Sequence, residues 1–300
     1  LDLGTQAADM LEFQAQGGEL RAYLFCGPTL EQVIADYTWL TGRMPLPPRW
    51  AIGYHQCRFS YHDEASVLEV AHELRQRKIP CDAIYLDIDY MDGKRVFTWD
   101  RRAFPDLKSM ADQLHRIGMK LVVILDPGVK VEAGYAAYES GIAEGIFMSY
   151  PDGQPAAGVV WPGLCHFPDF SSEKARAWWV QQMQPLLAAG VDGIWNDMNE
   201  PLYFGNAKTD DPPDYVQHHK EGLGGDHAEI HNVYGMLMAR ASREAVQKHY
   251  PDRRPFIITR AGYAGTQRYA SSWTGDNRAT WDNLRRSEEH TSELQSLTNL

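Results

Sequence analysis

Short apolar segments alternate with amphipathic segments along the chain from about residue 50 onward. In residues 63–78, apolar side chains recur at positions i, i+3, i+4 and i+7, namely at Val67, Val70, Ala71 and Leu74, which predicts an amphipathic helix. Similar patterns predict further helices at residues 106–117, 172–189 and 228–250. The apolar segments lack period-two alternation, as is typical of strands buried on both faces. They predict strands at residues 51–54, 83–87, 121–126, 191–195, 255–259 and 271–273.

Strands that alternate with helices indicate a parallel sheet. The predicted strands end at or just before a charged residue: Asp87, Asp126, Asp197, Arg260 and Asp276. In a (β/α)8 barrel these positions share the catalytic rim. A doubly wound sheet is the alternative, but it usually carries a glycine-rich phosphate turn after its first strand, and the sequence has no such motif. We therefore predict an α/β fold of the (β/α)8 TIM-barrel type.

Residues 1–49 do not follow this alternation. They contain a predicted strand at 20–25, a predicted helix at 29–40 and a proline-rich segment. We expect them to be the end of an N-terminal β-sandwich domain and its linker.

The barrel domain is predicted to span residues 50–285, with an insertion at about 128–171 that is rich in glycine, proline and aromatic residues. Because only six strands are predicted, we expect the barrel to be incomplete at its C-terminus. Residues 286–300 are polar and have no place in the alternating pattern, so we expect a non-native tail. A barrel that lacks strands exposes sheet edges. We therefore expect this chain to be poorly folded and inactive by itself.

Composition narrows the possible partners. The net charge of the 300-residue chain is -11, and no lysine or arginine cluster is present, which argues against nucleic acid as a partner. No apolar stretch has the length of a membrane helix, so no membrane association is expected. The absence of Asn-x-Ser/Thr sites leaves the compartment open and favours a bacterial cytoplasmic protein. The sequence does not predict the oligomeric state.

Two carboxylate motifs carry the candidate chemistry, residues 193–201 and 272–277. In each, a short strand breaks into an acid flanked by Trp, Asn and Gly. Retaining cleavage of a glycosidic bond needs a nucleophilic carboxylate and a second carboxyl group that acts as acid and then as base. Asp276 is the candidate in the second motif. In the first motif, Asp197 and Glu200 both follow the strand closely, and chemistry alone leaves the choice between them open.

The two roles require different environments. The neighbouring amides of Asn196 and Asn199 are expected to donate hydrogen bonds to Asp197 and keep it charged. Burial beside Trp273 and the nearby charge of Asp197 are expected to raise the pKa of Asp276. This difference would make Asp197, and not Asp276, the nucleophile, while the choice between Asp197 and Glu200 stays open.

Several motifs, taken together and in order, resemble glycoside hydrolase family 31, the α-glucosidase and α-xylosidase family. The main one is residues 195–201, and the resemblance extends over residues 20–285. The others are residues 87–92, 124–127, 160–163, 167–170, 259–262 and 273–277.

The resemblance implies a role for each site residue. It makes Asp197 the nucleophile and Asp276 the acid/base, with Glu200 supporting the nucleophile. It implies that Asp87 and Arg260 bind sugar hydroxyl groups through charge-assisted hydrogen bonds. Further residues are implied to line the sugar pocket: Ile124, Trp161, Trp195, Met198 and Trp273.

The resemblance also implies an activity. We expect a retaining, exo-acting α-glucosidase that releases terminal glucose from α-glucoside oligosaccharides by double displacement, with no cofactor and no metal. An α-xylosidase or a transglycosylase of the same family is an alternative, as is an inactive or glycan-binding homologue. A metal-dependent barrel hydrolase using Asp87, Asp89 and Asp126 is less favoured, because such sites usually recruit histidines at strand ends.

Overall fold

In the computed structural model, the described residues are 2–3, 7, 9–14, 17, 19, 21–204, 211–276, 278 and 280–290, with 2–3, 11 and 286–290 described for their backbone only. The chain forms two compact units, Leu1–Gly42 and Arg43–Leu300. The division falls before the boundary predicted between residues 49 and 50.

The first unit contains two short strands, β1 (Asp2–Leu3) and β2 (Leu11–Glu12), which pair antiparallel, and helix α1 (Leu30–Thr41). The helix predicted at 29–40 is confirmed. The strand predicted at 20–25 is wrong for residues 21–25, which belong to no strand, and Leu20 lies outside the described residues. Tyr23 and Leu24 are exposed. The short β1–β2 pair does not show the expected β-sandwich.

The second unit alternates strands and helices. Its strands are β3 (His55–Gln56), β4 (Ala83–Leu86), β5 (Lys120–Leu125), β6 (Val129–Lys130), β7 (Ala157–Val160), β8 (Gly163–His166), β9 (Gly193–Asn196), β10 (Gln217–His218), β11 (Gly225–Asp226), β12 (Phe256–Thr259) and β13 (Ser271–Ser272). Its helices are α2 (Glu64–Gln76), α3 (Leu107–Arg116), α4 (Ala136–Glu144), α5 (Glu173–Gln182), α6 (Gln184–Ala188), α7 (His227–His249) and α8 (Trp281–His290). Among the described helices, none is long and apolar enough to cross a membrane.

A six-stranded sheet forms the centre of this unit, in the order β13-β12-β9-β5-β4-β3, and its neighbouring strands are parallel. This confirms the predicted parallel sheet and the order of its strands. Side chains of β4 and β5 are buried almost throughout, which explains why these segments are apolar without alternation. Six parallel strands connected by helices match an incomplete (β/α)8 barrel.

Two elements differ from the predicted ones. Residues 49–52 form a 3-10 helix instead of the predicted strand at 51–54, because the Ala51 amide donates to the Pro48 carbonyl (2.9 Å) and the strand starts only at His55. The predicted helix at 172–189 divides into α5 and α6. Pro185 has no N–H to continue the helical hydrogen bonds, which accounts for the break.

The insertion at 128–171 has its own structure. It contains helix α4 and a three-stranded antiparallel sheet in the order β6-β8-β7. Trp161 lies in the turn between β7 and β8, so this small sheet determines where its indole is placed.

A buried chain of hydrogen bonds joins the insertion to the long loop after β9 and to α7. His218 Nδ1 lies 2.8 Å from Asp169 Oδ1, and His218 Nε2 lies 3.0 Å from His227 Nδ1. The two imidazole rings stack with centroids 5.3 Å apart. Burial, followed by the neighbouring His218, lowers the pKa of His227 to about 3. The hydrogen bonds that join Asp169, His218 and His227 therefore hold the end of this loop in place as long as at least one of the two imidazoles is neutral.

Candidate active site

Three neighbouring strands each end in an aspartate on the same edge of the sheet. Asp87 follows β4, Asp126 follows β5 and Asp197 follows β9. The Asp197 amide donates to the Leu125 carbonyl (3.2 Å), which holds the ends of β5 and β9 side by side. Asp87 and Asp126 are 9% and 6% exposed, and the side chain of Asp197 is 14% exposed. The strand-end acids predicted from the sequence therefore lie together and largely shielded from water.

Arg260, directly after β12, connects two of the acids in this cluster. Its Nε and Nη2 donate to the two carboxylate oxygens of Glu200, both at 2.8 Å. Its Nη1 lies 3.2 Å from Asp197 Oδ1, within ion-pair distance. Its Nη2 also lies 3.2 Å from the Met198 sulfur. Glu200 thus orients the guanidinium that faces Asp197.

The two asparagines beside Asp197 do not play the expected part. Asn199 Nδ2 donates to Thr259 Oγ1 (2.8 Å) and to the Gly235 carbonyl (3.3 Å), and Asn199 Oδ1 accepts from the Ala261 amide. The Asn196 amide is buried without a hydrogen-bond partner among the described residues. The expectation that these amides donate to Asp197 is therefore wrong. The Asn199 side chain instead bonds to groups of β12 and α7, and Arg260 and the Met198 backbone amide stabilise the charge of Asp197.

Burial raises the pKa of Asp197 to about 6, and the charges of Asp276 and Glu200 act in the same direction, while Arg260 opposes them. Burial also raises the pKa of Asp87, with the charges of Asp89 and Asp276 contributing. Asp276, which follows β13, therefore lies within electrostatic range of both Asp87 and Asp197. Its side chain is exposed, so the expectation that burial surrounds Asp276 is wrong.

Aromatic side chains border the acids. The rings of Trp195 and Trp273 lie 5.6 Å apart in an edge-to-face arrangement. Tyr85 of β4 lies 6.1 Å from Trp195, across the intervening strand β5. On another side, Trp161 contacts Phe204 edge to face at 4.9 Å, and 43% of Trp161 is exposed. Flat apolar faces of this kind can cover a sugar ring.

Two further predicted pocket residues, Ile124 and Met198, are buried beside the acids. Ile124 lies in β5 directly opposite Trp195 of β9. Met198 follows Asp197 with a φ of 53°, a left-handed conformation that is uncommon outside glycine. This turn brings the Met198 sulfur to Arg260.

Sequence reasoning missed one charged residue of this region, Lys94. Its Nζ lies 5.1 Å from the ring centre of Trp161 and 3.8 Å from Asp89 Oδ1, and its charge lowers the pKa of Asp87 against the stronger effect of burial. Lys94 therefore connects Trp161 to the acids. A glycine, Gly93, forms the turn between the motif at residues 87–92 and Lys94. This glycine is the sequence signal that could have identified Lys94. Among the described residues, no three His, Cys, Asp or Glu side chains are grouped to hold a metal ion.

Comparisons with known proteins identify the family. The family model for the glycosyl hydrolases family 31 TIM-barrel domain matches residues 44–298. The chain is 48% identical over 281 residues to alpha-glucosidase 2 of Bacillus thermoamyloliquefaciens, covering 94% of this chain and 36% of that protein. It is 38% identical to human neutral alpha-glucosidase AB, covering 92% of this chain and 29% of that protein.

Solved structures agree with this result. A crystal structure of the ER glucosidase II heterodimeric complex matches with a TM-score of 0.81 and 37% identity, over 86% of this chain and 28% of that one. The family 31 alpha-glucosidase of Bacteroides thetaiotaomicron matches with a TM-score of 0.73 and 45% identity, over 84% and 40% of the two chains. The chain spans about a third of the length of these relatives. It belongs to glycosyl hydrolase family 31, and residues 44–298 are its TIM-barrel domain.

Proposed function

We propose that the protein carrying this domain is a retaining, exo-acting α-glucosidase. The observation that carries the proposal is the pair of aspartates at strand ends. Asp197 is held at 3.2 Å from Arg260, and Asp276 acts electrostatically on Asp197. The relatives named alpha-glucosidase support the same activity.

The proposed reaction has two steps. In the first, a carboxylate oxygen of Asp197 bonds to the anomeric carbon while the bond to the leaving oxygen breaks, and Asp276 donates a proton to that oxygen. In the second, Asp276 takes a proton from water, whose oxygen displaces Asp197 from the anomeric carbon and releases α-glucose. Two inversions at one carbon retain its configuration.

The remaining residues hold the substrate and the nucleophile. Asp87 and the Arg260 guanidinium are placed to bind hydroxyl groups of the terminal glucose, and Glu200 orients Arg260 through its two hydrogen bonds. The apolar side chains are proposed to cover the ring and exclude water: Ile124, Trp161, Trp195, Met198 and Trp273.

The proposed substrate class is terminal α-linked glucose in oligosaccharides. The named relatives do not favour the α-xylosidase alternative, since they are alpha-glucosidases. Transfer to a second sugar uses the same covalent intermediate as transfer to water, so transglycosylation shares the proposed first step.

The test is glucose release from maltose and from 4-nitrophenyl α-glucoside by the purified complete protein that carries this domain. Asp197→Ala removes the nucleophile and should lower kcat by at least about 10⁴-fold. Asp276→Ala should largely spare the first step with the nitrophenyl substrate, whose leaving group needs little proton donation, and should abolish maltose cleavage. Asp252→Ala, an exposed aspartate, is the matched control. Near-normal turnover by Asp197→Ala would exclude Asp197 as the nucleophile.

A further inference from the structure

The site contains more acids than cations. Five carboxyl groups interact electrostatically across it, and they belong to Asp87, Asp126, Asp197, Glu200 and Asp276. Within the described part of the chain, Arg260 and Lys94 are the cations among their electrostatic partners. A negative charge in a low-dielectric site raises the pKa of neighbouring carboxyl groups. A carboxyl group here that lacks a cation of its own is therefore the one most favoured to keep its proton near neutral pH.

Three of the five have a group that favours their charged form. Glu200 accepts two hydrogen bonds from Arg260, and Asp197 lies in ion-pair contact with the same guanidinium. Asp87 Oδ1 accepts a hydrogen bond from the Ile88 amide at 2.7 Å. Asp276 is the proposed acid and enters the first step with its proton, so the question concerns the other four carboxyl groups.

Asp126 is the exception. It is 6% exposed, and its Oδ1 is buried without a hydrogen-bond partner among the described residues. No cation lies within ion-pair distance of its carboxyl group in the described part of the chain. An ionised carboxylate in this position would be both desolvated and unpaired, which is the most costly arrangement available to it.

We propose that Asp126 is a positioning residue that enters the reaction as a neutral carboxylic acid beside Asp197, an inference that rests on the proposed role of Asp197 as nucleophile. As a neutral group, Asp126 places no second negative charge beside Asp197, so Asp197 can ionise and attack. An anionic Asp126 would instead favour the protonated, unreactive form of Asp197. The neutral acid also has an O–H that can donate a hydrogen bond, which a carboxylate lacks.

The direction of the pKa of Asp126 agrees with this geometry. Burial raises it well above its usual range, the charge of Asp197 raises it further, and Arg260 opposes both. Two other titratable side chains pack near Asp126, Tyr90 from the turn after β4 and Cys165 from β8. Burial raises the pKa of both, that of Cys165 to about 12, so neither supplies a charge near neutral pH.

Infrared difference spectroscopy tests the proposal directly, because a buried protonated carboxyl group has a carbonyl band separate from those of carboxylates. At pH 7 we expect this band in the wild type and its loss in Asp126→Asn. The matched control is Asp192→Asn, which should keep the band. Asp192 is also buried, but its carboxylate lies 2.6 Å from His115 and 3.1 Å from Lys120 and is therefore charged.

A pH profile provides the second readout. If Asp126 is neutral, Asp126→Asn removes no charge, and the acid limb of kcat/KM should stay where Asp197 sets it. If Asp126 is an anion, the same substitution should move that limb to lower pH. Asp126→Ser, also neutral, replaces Asp126→Asn should the latter fail to fold, as judged by circular dichroism.

The outcomes separate the two proposals. A wild-type spectrum without this band, or Asp126 variants whose band is as strong as that of the wild type, overturns the neutral Asp126, as does a lowered acid limb. A protein that shows the band and loses it in Asp126→Asn, yet cleaves no α-glucoside, contradicts the proposed function while leaving the protonation of Asp126 established.

Discussion

At Asp197, two opposing influences set the reactivity of the carboxyl group. Burial makes ionisation costly, while the Arg260 guanidinium at 3.2 Å favours it. Burial is the larger effect, and the pKa of Asp197 is raised to about 6. A nucleophile with this pKa is ionised at neutral pH and remains more basic than an exposed aspartate.

The first prediction concerns pH. Because Asp197 must be ionised to attack, kcat/KM should fall as pH decreases through about 6. The measurement is kcat/KM for 4-nitrophenyl α-glucoside between pH 4 and 8. An acid limb near pH 4 in the wild type would contradict the account.

The second prediction concerns Arg260. Arg260→Lys keeps a charge but loses the planar fork that binds both oxygens of Glu200. We expect kcat/KM to fall by about 100-fold, because the cation facing Asp197 is no longer oriented, and we expect the acid limb to move to higher pH. Arg240→Lys is the matched control, since Arg240 pairs with Glu244 on the partly exposed face of α7. Equal kinetics for the two variants would rule out this role of Arg260.

At the scale of elements, the strand ends had a clear sequence signal, but the contacts of their side chains did not. Acids after β4, β5 and β9 follow from the alternation of strand and helix, which forces their backbones to one edge. The Asn199 side chain is directed toward Thr259 and away from Asp197. This direction depends on packing between β9 and β12, which the hydrophobic pattern of the sequence does not predict. For the same reason, the sequence alone did not reveal the contact between Lys94 and Trp161.

The third prediction tests the connection between β9 and β12. Asn199→Ala removes the hydrogen bonds to Thr259, Gly235 and Ala261 and leaves buried polar groups unpaired. We expect it to lower the free energy of unfolding by about 2–3 kcal/mol. Asn232→Ala, on the exposed side of α7, should change it by less than about 0.5 kcal/mol. Urea unfolding of both variants measures the difference, and similar values would refute the structural role of Asn199.

The fourth prediction concerns the histidine chain. The pKa of His227 is about 3 in the folded protein, below its unfolded value of about 6.5. The unfolded state therefore binds more protons between these values, and the stability that His227 contributes should decline as pH falls from 6.5 toward 3.

His227→Gln should reduce this pH dependence, whereas His62→Gln, at an exposed position, should leave it unchanged. The free energy of unfolding at pH 7 and at pH 5 measures the effect. If His227→Gln and the wild type lose the same stability between these two pH values, the chain Asp169–His218–His227 is not the acid-sensitive element.

At the scale of the whole molecule, the sequence predicted the parallel sheet, the strand order and the family, because these depend on patterns repeated along the chain. The first strand was misplaced because the turn at Pro48 uses backbone hydrogen bonds that carry no hydrophobic signal. The candidate site depends on the sheet as a unit, since β4, β5, β9, β12 and β13 are each followed by at least one of its charged residues.

The central claim is that Asp197 bonds to the anomeric carbon of the substrate. A fluorinated α-glucosyl substrate should trap this bond, because the covalent intermediate that it forms with the protein accumulates faster than water hydrolyses that intermediate. Mass spectrometry of the digested protein should then find one added sugar on Asp197. A sugar attached to Asp87, Asp126 or Asp276 instead, or turnover that releases β-glucose, would contradict the account.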